Sequence, residues 1–370
     1  MGETSSNKTF NVGVIGYGMS ASTFHIPFIT STPSLKLYSI LQRKPSDSSS
    51  APRDYPHLKH HTSLESFLAD PELDVVVVTT PPETHFAFAQ QALQAGKHVF
   101  VEKPFVPSSA QADELIKLAD EKKRSICVYQ NRRWDSDFLT VRKLVTDGLL
   151  GRIVEFETHF DRYRAEKPTN WKGSLKMDQG GSALYDLGTH LVDQVYTLFG
   201  MPQGVFAKLV SQRDGLCLGP ENPDLEPDSV NLQLFYADAL IVHVRIGVMS
   251  VETKQPRFWI RGTKGSYHKT GLDPQEPQIK SGMKINDAEF GKEGPEWNGS
   301  LTTVGQDGKI TEESCPNVKP ETYSKIYELF AHALQGRCDV PVPASQAKDV
   351  LRILEAARES AKTKREVELS

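Results

Sequence analysis

A short run of small residues near the start of the chain carries the first chemical signal. Gly16-Tyr17-Gly18-Met19-Ser20-Ala21 follows the apolar stretch Phe10–Ile15 and opens a helical pattern, so its Gly-x-Gly-x-x-Ala spacing stands in strand–turn–helix context. Gly16 lets the chain turn tightly, Gly18 lets the backbone approach a pyrophosphate, and Ala21 keeps the helix against the sheet. The N-terminus of that helix then offers free N–H groups and a positive dipole end to phosphate. Gly16 through Ala21 are therefore expected to cradle a dinucleotide. Glycine pairs also mark ordinary strand-to-helix turns; the strand before and the helix after separate the two readings.

The second strand ends in Leu41-Gln42-Arg43-Lys44. An NAD site usually carries Asp or Glu there, accepting hydrogen bonds from the adenosine ribose, and this chain has none. Arg43 and Lys44, next to Gln42, suit a 2′-phosphate instead, Arg through a bidentate match. The expected cofactor is NADP(H), with NAD(H) as the alternative. Thr79-Thr80-Pro81-Pro82-Glu83-Thr84-His85 follows a buried strand, where such a sheet presents loops to its cofactor. Thr80, Pro81 and His85 are its candidate contacts. One strand later, Glu102-Lys103-Pro104 sets a lysine at the carboxyl edge of the sheet. Pro104 biases Lys103 to an extended backbone and so directs its side chain. A plain surface lysine is the alternative; a lysine wedged between core strand and proline fits a positioned ammonium better.

These loops need a scaffold, and the pattern supplies one. Strand-like runs at Phe10–Ile15, Leu35–Leu41, Val75–Thr80, His98–Val101 and Ser125–Gln130 alternate with helical runs at Ser20–Ser31, Ser63–Ala69, Glu83–Ala95 and Ser108–Lys123. Apolar strands alternating with amphipathic helices indicate a doubly wound parallel sheet, an α/β Rossmann domain over residues 8–131. After Arg132 the rhythm changes. A helix at Ser136–Thr146, a strand at Arg152–Phe160 and a helix at Ser182–Phe199 lead into strands at Val205–Gln212, Ser229–Tyr236, Leu240–Met249 and Arg257–Tyr267. Residues 132–370 therefore read as an α+β domain with a large, mostly antiparallel sheet and its helices on one side. Residues 271–320 read as an irregular excursion, and helices at Glu321–Gly336 and Ala344–Lys362 close the chain.

At 370 residues with 38% hydrophobic content the chain suits two globular domains. A formal charge of -4 without a basic stripe argues against nucleic acid. No apolar run approaches the roughly 18 to 20 residues of a membrane span. Cys127, Cys217, Cys315 and Cys338 lie far apart, which argues against zinc and disulfides and fits a reducing compartment. No signal peptide is read at the polar start, so a cytoplasmic location is expected. Gly2 and Ser6 match a loose N-myristoylation pattern, against the plainer reading of a polar leader.

With these motifs assembled, the chain resembles the glucose–fructose oxidoreductase / inositol dehydrogenase family. The likeness spans nearly the whole chain: the fingerprint, Thr-Pro with His85, Glu102-Lys103-Pro104, Asn131-Arg132-Arg133-Trp134-Asp135, Tyr185-Asp186-Leu187-Gly188-Thr189-His190, and Pro343–Ala347. Within the family it is most similar to NADP-dependent inositol and sugar dehydrogenases. The resemblance implies that Glu102, Arg132, Arg133 and Trp134 approach the cofactor. It also implies that the helix of Asp186 and His190, four apart and so on one face, meets the nicotinamide. His190 would then be the general base, and Asp186 would orient it or bind substrate hydroxyls. Lys103 would donate to the reacting oxygen. No metal is expected. Trp171-Lys172 stands where the family commonly has Trp-Arg, which leaves that contact open, and Tyr163 is the candidate substrate contact.

Three functions compete. The first is an NADP(H)-dependent dehydrogenase or reductase of a polyol, cyclitol or aldose. The second is a non-catalytic dinucleotide-sensing regulator, since fold does not determine function. The third, a reductase of a conjugated or imine substrate, has no need of Lys103, Asp186 and His190 together. Their joint presence favours the first. The expected partner is a small molecule. Apolar residues on both faces of Leu232–Tyr236 and Ile241–Ile246 further predict a homodimer or a dimer of dimers.

Overall fold

The structure, a computed structural model, describes residues 8–169 and 171–369, with the side chains of Trp171 and Lys172 outside that description. The myristoylation pattern at Gly2 and Ser6 lies outside the described residues.

The chain divides into two compact units. In the first, strands β1 (Phe10–Ile15), β2 (Leu35–Leu41), β3 (Lys59–His61), β4 (Val75–Val78), β5 (His98–Val101) and β6 (Ile126–Val128) form a parallel sheet in the order β3-β2-β1-β4-β5-β6. The order reverses between β1 and β4, the switch point where a doubly wound sheet opens a crevice at its carboxyl edge. Four β-branched valines, all buried, make β4 the centre of this core. β3 is an unforeseen edge strand; Lys59-His60-His61 carries no apolar signal.

The opening helix differs from its expected form. Ser20–His25 is a π turn, closed by the Ile26 N–H on the Ala21 carbonyl, and an ordinary α-helix runs over Ile26–Ser31. Pro27 lacks an N–H and cannot continue the regular bonding pattern through this point.

Among the described residues, ten strands build the sheet of the second unit: β7 (Ile153–Asp161), β8 (Gly204–Ser211), β9 (Leu216–Cys217), β10 (Ser229–Phe235), β11 (Ile241–Gly247), β12 (Pro256–Gly262), β13 (Gly265–Thr270), β14 (Gly299–Val304), β15 (Ile310–Cys315) and β16 (Val367–Glu368). Their order is β15-β14-β13-β12-β7-β11-β10-β8-β16, with β9 on β8 and only β7–β11 parallel. The run read as one strand over Arg257–Tyr267 is a hairpin: the chain reverses at Thr263-Lys264 between β12 and β13. Part of the supposed excursion after Gly271 supplies the hairpin β14–β15.

Residues 277–290 and 322–348 group with the first unit, not with the second as their place in the chain suggested. Tyr327, on the helix Ser324–Leu334, shows why: its ring stacks on Phe28 and Phe100 of the first unit, with centroids 6.1 and 4.9 Å away.

Candidate active site

Where β1 ends, Gly16 takes φ +95, and a Cβ there would come within 3.1 Å of the Thr79 and Thr80 side chains. The backbone conformation strains any side chain there, and the two threonine side chains would also have to give way. At Gly18 a Cβ would meet nothing within 4 Å, so the protein's own packing does not require glycine; the open space is what a pyrophosphate backbone contact needs. Ala21 is fully buried, Met19 is 58% exposed, and Ser20 turns inward.

Beside this loop lies a cavity of about 670 Å³, lined by Gly16, Tyr17, Gln42, Arg43, Lys44, Thr80 and Pro81. It also takes in Thr62, Ser63, Leu64 and Phe88, which sequence reasoning missed because nothing in their spacing brings them to β1. None of its lining residues is acidic, whereas Arg43 and Lys44 are exposed cations. These donors fit an NADP 2′-phosphate. Gln42 acts on the loop itself: its Nε2 donates to Ser49 O (2.9 Å) and its Oε1 accepts from Ala51 N (2.8 Å). Ser49 Oγ donates to Tyr17 O (2.8 Å), and the Tyr17 hydroxyl donates to Asp54 Oδ2 (2.8 Å). The phosphate loop and the loop of Arg43 are thereby tied together.

Lys103 leaves β5 half-buried, between a half-buried acid and a buried proline. Glu102 is held by Ser20 and His25, and its Oε2 accepts the Lys103 N–H at 2.9 Å. Burial alone would raise the Glu102 pKa. The His25 hydrogen bond and charge, the Lys103 charge and Ser20 outweigh it and bring the group down to about 2. His85 is fully buried, its ring nitrogens facing Pro104 O (2.9 Å) and Thr80 O (2.7 Å). Burial lowers its pKa, and a neutral ring has one N–H to share between the two carbonyls. The expected cofactor contact at His85 is in position a brace between the β4 and β5 loops.

In the second unit, Asp186 lies within a second π turn, Leu184–Gly188, and His190 in the first turn of the helix Thr189–Phe199. Asp186 is half-buried and His190 only 6% exposed. π turns recur at functional sites because the extra residue redirects the side chains around it. Arg133 is occupied by protein: its guanidinium makes a buried bidentate pair with Asp193, at 2.8 and 2.7 Å. Arg132 reaches Asp135 (3.1 Å) and Glu276 (2.6 Å), and Trp134 is core. Tyr163 is 57% exposed, while its neighbour Arg162 turns inward. Burial lowers the Arg162 pKa, followed by Arg164, while the nearby Asp186 charge opposes the shift. Arg162 is thus the better candidate of the pair, and alternation along the extended segment was the signal that could have found it.

Comparison with known proteins settles the family. A model of the NAD-binding Rossmann fold of an oxidoreductase family matches residues 10–130, and a model of that family's C-terminal alpha/beta domain matches residues 142–369. The chain belongs to the glucose–fructose oxidoreductase / inositol dehydrogenase family of oxidoreductases. Within this family, an uncharacterized oxidoreductase of Schizosaccharomyces pombe is 39% identical over 96% of this chain and 98% of its own length. The Bacillus subtilis scyllo-inositol 2-dehydrogenase (NADP(+)) IolW is 37% identical over 98% of this chain and 96% of its own. The solved structure of the oxidoreductase yvaA from Bacillus subtilis superposes with a TM-score of 0.90 at 34% identity, covering 98% of this chain and 99% of that one.

Proposed function

We propose that this chain is an NADP(H)-dependent dehydrogenase acting between a hydroxyl and a carbonyl carbon of a polyol, cyclitol or sugar-like substrate. The observation that carries the cofactor choice is the cavity at the switch point, where Arg43 and Lys44 stand and no lining residue is acidic. A 2′-phosphate gains two cations there, and a ribose diol finds no carboxylate. The NADP-dependent inositol dehydrogenase among the relatives supports the same reading. The bound dinucleotide supplies or takes up the hydride.

The chain's own residues do the rest. Lys103 donates to the reacting oxygen, stabilising alkoxide on oxidation and polarising the carbonyl on reduction. His190 takes the hydroxyl proton, or returns it in the reverse direction. Asp186 orients the imidazole or binds substrate hydroxyls. A screen of sugars, cyclitols and small carbonyls following NADPH absorbance tests the activity. Titration of both cofactors tests the preference: NADPH should bind at least tenfold tighter than NADH, about 1.4 kcal/mol, and Arg43→Asp should erase or reverse the difference. Equal affinities in the parent would remove the claim.

A further inference from the structure

Ser20 and His25 are five residues apart in the opening π turn. In a regular α-helix residues at that spacing face different ways, since only those three and four apart are neighbours. The widened turn instead brings both onto one atom: Ser20 Oγ donates to Glu102 Oε1, and His25 Nε2 lies 2.9 Å from it. A carboxylate only accepts, so His25 donates from Nε2. Its Nδ1 meets the Tyr327 hydroxyl at 2.5 Å, and the Tyr129 ring lies 4.5 Å from its own. His25 is completely buried and does not line the cofactor cavity. The other Glu102 oxygen accepts the Lys103 N–H.

We propose that His25, assisted by Ser20, is a positioning residue for Lys103. The two clamp one oxygen of Glu102 so that the other fixes the Lys103 backbone and the carboxylate charge stays beside the Lys103 ammonium. This rests on the reading of Lys103 as the donor to the reacting oxygen. The π turn is what makes the clamp possible; an α turn would carry His25 off the Glu102 face. The titratable groups around Glu102 are His25, Lys103, His85 and Tyr327. Of these, His25 bonds the carboxylate through its ring and Lys103 through its backbone N–H.

The test is a mutant cycle with two readouts. His25→Asn keeps a group toward Tyr327 and loses reach to Glu102; His25→Gln keeps the reach. His25→Asn should lower kcat at least tenfold with the NADPH Kd changed less than threefold, and His25→Gln should recover most of the loss. In a Glu102→Gln background His25→Asn should cost nothing further. The second readout needs no turnover: acylation of Lys103 by acetic anhydride at one fixed pH, followed over time by peptide mass spectrometry. Loosening or removing the carboxylate frees the Lys103 backbone and should move that labelling curve to faster reaction in His25→Asn and in Glu102→Gln. Should His25→Asn fail to fold, Ser20→Ala gives a smaller shift in the same direction. Additive kcat losses in the cycle, or a labelling curve unmoved in every variant, would overturn the proposal. If Lys103→Ala kept full turnover while the labelling curve shifted as expected, the clamp would stand and the catalytic reading of Lys103 would fall.

Discussion

Lys103 and His190 are proposed to act mostly in the transition state, so losing either should lower turnover far more than cofactor affinity. Lys103→Ala should cost on the order of a hundredfold or more in kcat, the scale of a lost oxyanion donor. His190→Ala should cost a comparable amount and abolish the pH limb due to the imidazole. Near-parental steady-state turnover in both would place the chemistry elsewhere. Glu102 adds a stability prediction at the same scale. Its folded pKa of about 2 lies below the ordinary carboxylate value, so its ionisation stabilises the fold above about pH 4.5 and that contribution is lost as pH falls toward 2. The parent should exceed Glu102→Gln by on the order of 3 kcal/mol at neutral pH, with the gap closing in acid. Urea unfolding at pH 7, 4.5 and 3 measures it; a constant gap would show that the carboxylate charge is not the source.

Among the elements, the loop after β2 shows how much of a binding site is bracing. Arg43 and Lys44 are exposed, and what holds their loop is the Gln42 amide, bonded at both ends to loop backbone. Gln42→Ala should weaken NADPH binding roughly fivefold, about 1 kcal/mol, and leave NADH nearly unchanged because that ligand has no 2′-phosphate to place. Equal weakening of both cofactors would mean that Gln42 serves the adenosine site as a whole. The two π turns belong to this scale as well. The residue pattern announced helices over Ser20–Ser31 and Ser182–Phe199, and helices stand there, but the extra residue in each depends on local bonding that hydrophobic periodicity does not report.

For the whole molecule, the outer face of the second unit's sheet bears on assembly. Leu232, Leu234, Val242, Val244 and Ile246 all turn into the core, while on the other face of β10 and β11 the expected apolar residues are Phe235, half-buried, and Ile241, exposed. The outward positions are mixed. Phe206, Ile241 and Trp259 are 39%, 38% and 44% exposed, around a polar group in which Glu155 pairs with Arg261 and lies 3.4 Å from His243, and Glu157 lies beside His159 and Arg245. Large exposed apolar groups around this polar group suit a second copy of the same face under two-fold symmetry. We expect a homodimer, or a dimer of dimers, that light scattering detects at micromolar concentration and that Trp259→Glu weakens. A parent that is monomeric there would remove the expectation.

Strand–turn–helix order, the glycine fingerprint, the basic residues after β2 and the lysine after β5 were legible because each rests on neighbours in the chain: a turn needs its glycine and a buried strand its valines, wherever the rest of the molecule lies. The reversal at Thr263-Lys264 had a local signal in Gly262 and Gly265, which bracket it, but strands of similar composition on either side let it pass as one run. Other features had no local signal. Tyr327 comes to His25 from 302 positions away, Leu64 and Phe88 join the cavity from separate connections, and Asp193 takes the guanidinium of Arg133. These contacts are non-local, chosen by which surfaces meet when the elements pack. The sequence by itself therefore determined the strand–turn–helix frame and the motifs proposed to carry the chemistry, and only the tertiary structure decided which of their residues line the cavity and which are spent on holding the others in place.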